Sequence, residues 1–406
     1  MKIAVVEWMP RLCGVVSWVK HITAPNDRDV ELVPVSCTKS GAPMKAWAST
    51  NINWLTLGRY TFGAELRDHG FDAVIYSDVV CKSPLMWDRD DFPLWLDMMK
   101  QVDLPWTMMM HDAFFSPKQM LALEETLAVP GFTGKIVTTR HEACSKFMAE
   151  NYPKTPVQWV VNPFLPYAWS PPKPVNTDPQ RGFNFLGRLS PTKGIYALVN
   201  IFPELLGDLT LWGFNSYGFP SNGWRMFEQA MDMGYEDLEH PVVNCNRTHP
   251  NAKKFYTGRY AVRWKPTGKV LRYAGEYPNL ESVDWSPKIG ISLTSEMYRG
   301  TLEYSTLDQL DNGLVCCVAE HQIAHVANAY PSMVTLPYVN VTFDSNNEWR
   351  PRTEQWNREE IIDRLVSLNN TPAMQGLINL GIDQLKEAKK VHSVSRFVQS
   401  ITEALA

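Results

Sequence analysis

The sequence has few cysteines, no long apolar run and no strong excess of charge of either sign. Seven cysteines are spread over 406 residues without CxxC pairs or zinc-ligand spacing, which indicates a reducing compartment and excludes a disulfide scaffold. No apolar segment approaches the roughly 18 residues that a membrane span requires. With 39 basic and 43 acidic residues, the net charge of −4 excludes a uniformly basic nucleic-acid coat protein.

Two nucleotide-binding signatures are also missing. The GxGxxG fingerprint of dinucleotide-binding domains does not occur, which disfavours ordinary NAD binding, and the GxxxxGK[ST] loop of many ATPases is absent as well. The first ten residues carry Glu7 within an apolar stretch and lack a cleavage site. We therefore interpret them as a first strand and not as a signal peptide.

What is present is an alternation of short apolar strands with helical windows, such as Pro117–Leu127 and Glu142–Glu150. The predicted strands of the first half are Lys2–Val6, Glu31–Cys37, Asp72–Tyr76, Trp106–Met110, Lys135–Thr139 and Gln158–Val161. At roughly 100–200 residues per domain, the length predicts two or three compact units. Alternation of this kind predicts a mostly parallel sheet covered by helices.

The second half repeats this pattern after Ser170–Arg181, a proline-rich segment that we assign to an interdomain linker. Its predicted strands are Phe183–Leu186, Leu209–Trp212, Ile289–Leu293, Leu314–Val318 and Met333–Leu336. The tail Arg358–Ala406 is predicted to be largely helical. The pattern therefore predicts an α/β chain of two Rossmann-like domains facing across a cleft. We place them at 1–170 and 182–380, with a helix at 381–406 packing back on the first domain.

The segment GRLSPTKG, Gly187–Gly194, follows the first strand of the second half and precedes a helix predicted from Gly194. Arg188 and Lys193 are long cations five residues apart, and a guanidinium fork beside an ammonium suits a diphosphate. The N-terminus of the following helix would add N–H donors. The alternative is a solvated turn with a helix cap, because glycine-rich turns are common.

Candidate site residues also follow two strands of the first half. His111 and Asp112 come directly after Trp106–Met110, at the end of a strand where an open α/β sheet binds its ligands. They can orient a sugar hydroxyl and accept a proton from an acceptor; alternatively, Asp112 caps the next helix and His111 is packed. Gly14, between the first strand and the first helix, allows a ligand to approach the backbone closely.

An acidic run precedes the predicted strand Leu314–Val318. Glu303 and Asp308 are predicted to lie on a helix that starts near Gly300 and ends at Gly313. Their carboxylates could accept hydrogen bonds from a ribose diol. The alternative is an acidic, exposed helix face.

Basic residues are concentrated in one segment that contains no acidic residue. They are Arg247, Lys253, Lys254, Arg259, Arg263, Lys265, Lys269 and Arg272. Aromatic residues, among them Tyr256, Tyr260 and Trp264, are interleaved with them. Cations for phosphates together with aromatic faces for bases indicate a nucleic-acid surface, and a solvated strand face is the alternative.

In this order, the segments resemble the retaining glycosyltransferases of the GT-B fold, whose GR…KG diphosphate motif matches Arg188 and Lys193. More narrowly, they resemble the DNA α-glucosyltransferases of T-even bacteriophages. That resemblance adds the MxHD stretch that ends at Asp112, the LEET run at Leu123–Thr126 and the LEYSTLD run at Leu302–Asp308. The match consists of separate short runs spread from Met1 to about Val318.

The chain departs from the broader family at the paired glutamates, whose places are taken by Gly300 and Asp308. Glu303 could take part of the first glutamate's role. The resemblance implies that UDP is bound by Arg188, Lys193 and the N–H groups near Gly14 and Gly300. It also implies Asp112 and His111 as the catalytic pair.

The resemblance further implies transfer of a sugar, glucose in the first instance, from a UDP-sugar such as UDP-glucose to 5-hydroxymethylcytosine in double-stranded DNA, with retention of configuration. It implies a phage-encoded monomer in the host cytoplasm that protects DNA from restriction and needs neither a metal nor a membrane. A buried base would have to be extruded from the duplex. Three alternatives stay open: another donor sugar such as a pentose, a non-DNA acceptor, and an inactive DNA-binding homologue.

Overall fold

The structure is a computed structural model in which 19 stretches of the chain are described. They are 1–7, 14–23, 29–38, 52–77, 91–111, 117–139, 141–164, 182–213, 222–241, 243–245, 254–256, 259–277, 280–294, 302–324, 330–340, 354–368, 372–377, 379–380 and 390–406. The chain divides into two compact units. The first unit contains Met1–Ala168 and Lys389–Ala406, and the second contains Trp169–Ala388. The predicted linker Ser170–Arg181 lies outside the described residues.

The first unit is built on a parallel sheet. Its described strands are β1 (Lys2–Val6), β2 (Glu31–Thr38), β3 (Leu55–Gly58), β4 (Ala73–Ser77), β5 (Trp106–Met110), β6 (Phe132–Thr138) and β7 (Val157–Trp159). They lie in the order β3-β2-β1-β4-β5-β6-β7, and every pair is parallel. The middle strands are apolar throughout because helices cover both faces of the sheet, so every residue of β4 and β5 is buried.

Helices alternate with these strands. They are α1 (Gly14–Thr23), α2 (Phe62–Asp68), α3 (Asp91–Lys100), α4 (Pro117–Leu127) and α5 (His141–Asn151). Trp106 and Tyr76 meet edge-on in the core, with ring centroids 5.4 Å apart. Large aromatic side chains therefore fill the space between the sheet and its helices.

The C-terminal helix, Val394–Leu405, belongs to the first unit and packs against α1, β5 and β6. The Ser393 hydroxyl caps its N-terminus by accepting a hydrogen bond from the Arg396 N–H. Just before the helix, His392 donates a hydrogen bond from Nδ1 to the carbonyl oxygen of Asn162. The last stretch of the chain thus completes the core of the first unit.

The second unit contains a larger, mixed sheet. Its described strands are β8 (Gly182–Leu186), β9 (Asp208–Trp212), β10 (Glu236–Glu239), β13 (Tyr260–Trp264), β14 (Lys269–Gly275), β15 (Ile289–Ser292), β16 (Val315–Ala319) and β17 (Val334–Leu336). They lie in the order β10-β13-β14-β9-β8-β15-β16-β17. Two small antiparallel pairs accompany them: β11 (Val243–Cys245) with β12 (Lys254–Tyr256), and β18 (Tyr338–Asn340) with β19 (Glu354–Trp356).

Helices of the second unit lie on both faces of this sheet. They are α6 (Ile195–Ile201), α7 (Asn222–Asp232), α8 (Tyr304–Asp311) and α9 (Arg358–Ser367), followed by a helical stretch at 372–377. Phe183, Phe185 and Leu211 point to one face and join α6 and α7 in the larger hydrophobic core. The α8 helix covers the opposite face at β8, β15 and β16.

The predicted α/β class and the mostly parallel winding are confirmed, and Lys2–Val6, Trp106–Met110 and Pro117–Leu127 have the predicted bounds. The sequence analysis did not predict the antiparallel strands of the second unit. β10 pairs antiparallel with β13, and β13 with β14. These strands form one edge of the sheet, and β10 consists entirely of exposed residues, so it lacks an apolar run.

Acid should destabilise the first unit where the C-terminal helix docks. Burial, with smaller effects from Lys20 and His392, lowers the pKa of His21 to about 3, and burial lowers the pKa of His392 to about 4. Both are neutral in the folded chain, whereas the unfolded chain protonates them near pH 6.5. Their contribution to stability is therefore complete above about pH 6.5 and is lost as the pH falls toward the folded values.

We expect the free energy of unfolding, measured by urea denaturation, to fall by about 2 kcal/mol per histidine between pH 7 and pH 5. His392→Asn keeps an N–H donor for the Asn162 carbonyl but cannot be protonated in this range. The free energy of unfolding of this variant should therefore fall less between pH 7 and pH 5 than that of the original protein. An unchanged pH dependence in this variant would contradict the assignment.

Candidate functional site

The sheet of the second unit changes its winding direction between β8 and β15. From β8 the chain adds β9 on one side, whereas β15, β16 and β17 lie on the other. Loops that follow two such neighbouring strands leave in opposite directions, and open α/β sheets bind ligands at the crevice that results. Gly187–Gly194 follows β8, and Leu293 and Thr294 follow β15. The predicted diphosphate segment therefore lies at this change of direction.

Within this segment, Lys193 makes an ion pair with Glu303 through its Nζ atom and the carboxylate Oε1. The side chains are 12% and 15% exposed, so the pair is largely shielded from water. Thr294 donates a second hydrogen bond to the same carboxylate, at 3.2 Å from Oε2. Ser292 Oγ lies 3.1 Å from the Thr294 hydroxyl. Lys193 thus has a counter-charge that the two loops hold in place together.

Arg188 is exposed at the start of the same segment. Pro191–Lys193 forms a single helical turn, in which the Ser190 and Thr192 hydroxyls are 2.8 Å apart. The following α6 begins at Ile195, one residue later than Gly194. The exposed guanidinium of Arg188 consequently precedes this short turn, and the shielded ammonium of Lys193 belongs to its last residue.

Gly194 allows this turn to approach the end of β15. Its φ of 66° is in the left-handed region, and a Cβ atom there would lie 2.4 Å from Leu293 Cβ and 2.5 Å from the Leu293 carbonyl oxygen. Only glycine satisfies both conditions without movement of the backbone. This contact brings Lys193 close to the end of β15, where Thr294 lies.

The acidic run is arranged differently from the prediction. The helix begins at Tyr304 and not near Gly300, because Glu303 has an extended backbone and precedes the first turn. Asp308 lies inside α8 and is buried, and its carbonyl oxygen accepts a hydrogen bond from the Asn312 side chain. Gly300 lies outside the described residues. Of the predicted donor-site carboxylates, the structure places Glu303 beside Lys193.

The first unit has its own change of winding direction, between β1 and β4. Ser77 ends β4, His111 follows β5, and Glu7 follows β1, all three buried. Ser77 Oγ lies 3.3 Å from His111 Nε2. Glu7 and Ser77 were missed by the sequence analysis, although each stands at the end of a buried strand, which is the signal that selected His111.

The other predicted residues of the first unit are less informative. Gly14 is the first residue of α1. Asp112 lies outside the described residues. His111 is therefore the predicted catalytic residue whose surroundings the structure describes.

Part of the basic segment is placed on the β13–β14 hairpin. Arg259, Arg263, Lys265 and Arg272 are exposed. Cross-strand pairing of Arg272 with Ala261 puts Arg272 on the face that also carries Arg263, because alternate residues of a strand share a face. Lys254 belongs to β12, and Arg247 and Lys253 lie outside the described residues.

Two features of this hairpin reduce its usable positive charge. Arg263 pairs with Glu236 of the neighbouring acidic strand β10, with 3.4 Å between Arg263 Nη1 and Glu236 Oε2. Lys269 donates hydrogen bonds to the carbonyl oxygens of Phe202, Pro203 and Leu205, and burial lowers its pKa. Lys269 therefore stabilises the turn that follows α6.

Two further findings concern the described part of the chain. It contains no group of three or more histidine, cysteine, aspartate or glutamate side chains that could hold a metal ion. None of its helices combines the length and hydrophobicity that crossing a bilayer requires.

Solved structures with a similar fold include glycosyltransferases. An alpha-glucosyltransferase in complex with UDP and a 13-mer DNA containing an HMU base is 13% identical, covers 99% of both chains and has a TM-score of 0.62. An alpha-glucosyltransferase in complex with UDP-glucose and DNA containing an abasic site is 14% identical over 98% of this chain and 99% of its own, with a TM-score of 0.59. The chain has the GT-B fold.

An α,α-trehalose-phosphate synthase (UDP-forming) from Burkholderia vietnamiensis shares this GT-B fold at 12% identity, over 99% of each chain, with a TM-score of 0.50. No protein-family model and no curated protein matches the chain. The predicted fold and the structural resemblance to the DNA α-glucosyltransferases are thus confirmed, and at these identities the likeness concerns the fold.

Gly194→Ala should destabilise this GT-B chain more than Gly268→Ala does. Both glycines have a left-handed φ, 66° and 73°, but nothing lies within 4 Å of a Cβ built at Gly268. Both variants therefore pay the conformational cost, whereas Gly194→Ala also forces apart Gly194 and Leu293. We expect an additional loss of roughly 1–3 kcal/mol in urea denaturation, and equal losses would contradict close packing at Gly194.

Proposed function

We propose that the chain is a glycosyltransferase that moves a sugar from a UDP-sugar, UDP-glucose in the first instance, to 5-hydroxymethylcytosine in duplex DNA, with retention of configuration. The observation that carries the proposal is that two cations, Arg188 and Lys193, lie in one short segment at the change of winding direction. The GT-B fold, shared with alpha-glucosyltransferases in complex with UDP and DNA, supports it.

On the donor side, Arg188 and Lys193 of the second unit bind the diphosphate. Breaking the bond between sugar and phosphate leaves negative charge on UDP. Cations already in place stabilise this developing charge more than they stabilise the bound donor, which lowers the barrier. Glu303 and Asp308 accept hydrogen bonds from hydroxyl groups of the donor, and no metal ion is required.

The Glu303 carboxylate has a second consequence for the donor. It shares the Lys193 ammonium before the donor binds, so an incoming diphosphate competes with it for that charge. Thr294 continues to hold the carboxylate when the ammonium turns to the phosphate. Glu303 is thereby kept at the donor site instead of rotating away.

On the acceptor side, His111 holds a sugar hydroxyl, and Asp112 orients or deprotonates the hydroxymethyl group. A base inside a duplex cannot reach a site at the end of strands, so it is extruded at a cost of a few kcal/mol. Arg259, Lys265 and Arg272, together with Arg247, Lys253 and Lys254, contact phosphates, and Arg263 contributes less because of Glu236. The biological setting is a phage-encoded monomer in the host cytoplasm that protects DNA from restriction.

The decisive experiment offers the protein UDP-glucose and pentose nucleotides together with hydroxymethylated or unmodified duplex DNA. Mass spectrometry of the nucleosides should show a hexose on hydroxymethylcytosine only. Transfer of a pentose would change the donor assignment, and equal transfer to unmodified DNA would change the acceptor. Binding of DNA without transfer would indicate an inactive homologue.

Arg188→Ala and Lys193→Ala should each weaken UDP binding by roughly 10- to 100-fold in calorimetry, because each removes a charge-assisted contact to phosphate. Arg358→Ala is the matched control, since Arg358 is a cation of the same unit that pairs with Glu204, 3.2 Å away. It should leave UDP affinity unchanged. Undiminished UDP affinity in both site variants would place the diphosphate elsewhere.

Removing both Arg259 and Arg272 should weaken DNA binding and lower its salt dependence. Each lost phosphate contact reduces the slope of log K against log salt by about 1. The double variant Arg259→Gln/Arg272→Gln is compared with Arg67→Gln/Arg358→Gln, which changes the net charge equally at residues paired with Asp103 and Glu204. Equal salt slopes in the two double variants would exclude the hairpin from the DNA surface.

A further inference from the structure

We propose that Ser77 and Trp18 are positioning residues for His111, and that Phe397 of the C-terminal helix holds Trp18 in place. Four parts of the first unit meet at this point: α1, the end of β4, the end of β5 and the C-terminal helix. The inference rests on the proposed role of His111 at the acceptor and extends it to residues distant in sequence.

Ser77 acts through a hydrogen bond. Its hydroxyl lies 3.3 Å from His111 Nε2, and the two side chains are 2% and 8% exposed. β4 and β5 are adjacent and parallel, with Ser77 opposite Met109, so the serine hydroxyl is presented directly to the residue that follows β5. A hydrogen bond at one imidazole nitrogen fixes the rotation of the ring and therefore the direction in which the other nitrogen points; a serine hydroxyl can donate to or accept from Nε2 and serves either tautomer.

Trp18 acts through its ring. The indole and the His111 imidazole have centroids 5.2 Å apart and planes at 74°, which is an edge-to-face contact. Trp18 is fully buried, and among the described residues its Nε1–H has no hydrogen-bond partner. A buried tryptophan normally uses that donor. Its contribution here is consequently the aromatic surface that it places against His111.

Phe397, in the C-terminal helix, contacts the Trp18 ring. Its ring centroid is 5.6 Å from that of Trp18, again nearly edge-on at 72°. Phe397 is buried in the first turns of the C-terminal helix, which packs on α1 and on β5. The ring of His111 is thus restrained by a hydrogen bond from one side and by two successive edge-to-face aromatic contacts, His111 with Trp18 and Trp18 with Phe397.

The first test compares Ser77→Ala with Ser77→Thr. We expect Ser77→Ala to lower kcat for transfer to hydroxymethylated DNA by roughly 3- to 15-fold, with KM for UDP-glucose within about twofold of the original. Ser77→Thr keeps the hydroxyl and should retain most of the activity. An unchanged kcat in Ser77→Ala would overturn the role of Ser77.

A second readout does not depend on activity. In protein labelled with 15N-histidine, the Nε2 resonance of His111 should move in Ser77→Ala and stay in place in Ser77→Thr. If the original protein transfers no sugar, the proposed function fails, and this resonance still decides whether Ser77 positions the ring. If the protein is active and the resonance does not move in Ser77→Ala, the positioning role alone fails.

The aromatic support is tested with two variants of the C-terminal helix. Phe397→Leu removes the ring that contacts Trp18, whereas Ile401→Ala removes a buried aliphatic group one turn further along. The loss of stability of each is measured by urea denaturation. We expect Phe397→Leu to shift the ring protons of His111 and to lower kcat about threefold or more. If Ile401→Ala has the same two effects, general loosening of the helix is the cause and the role of Phe397 is overturned.

Discussion

The arrangement of chemistry in this chain depends on one constraint, which is that neighbouring parallel strands all end at the same edge of a sheet. Where the winding direction reverses, the loops after two adjacent strands separate, and polar groups can gather there without disturbing the core. The second unit uses the reversal between β8 and β15 for Lys193, Glu303 and Thr294. The first unit has Ser77 at the end of β4, beside its own reversal, and His111 directly after the neighbouring strand β5.

A second constraint is that charge near such an edge has to be neutralised locally. Lys193 is shielded from water and is matched by Glu303, which in turn is held by a hydroxyl. A shielded cation without such a partner would be costly to bury. The ion pair therefore lets the folded chain hold a shielded cation at this edge of the sheet, and Gly194 allows the close approach of the two loops.

The central strands could be predicted because they are buried on both faces. Trp106–Met110 is continuously apolar for that reason, and its bounds were predicted correctly. The residue after such a strand, His111, could be selected by the same reasoning. Ser77 also ends a buried strand, but this signal alone does not single it out, because a serine at the end of a strand is common; what distinguishes Ser77 is its hydrogen bond to a histidine 34 residues away.

The basic segment shows which property of the site could not be predicted from the local sequence, namely which of its charges stay available for a ligand. Its charge seemed unopposed along the sequence, yet pairing of β13 with β10 places Glu236 opposite Arg263. Lys269, counted as a cation for phosphates, donates instead to backbone carbonyl groups of its own unit. Long-range strand pairing decides which charges remain available, and no local window contains that information.

The C-terminal helix also has a consequence for the order in which the chain can fold. The first unit is formed by Met1–Ala168 and Lys389–Ala406, and the second unit is inserted between these two segments. On the ribosome, the N-terminal sheet must wait until the whole inserted unit has been synthesised before Phe397 can cover Trp18. Until then the apolar surface of α1 and the sheet that this helix buries stays uncovered on the nascent chain.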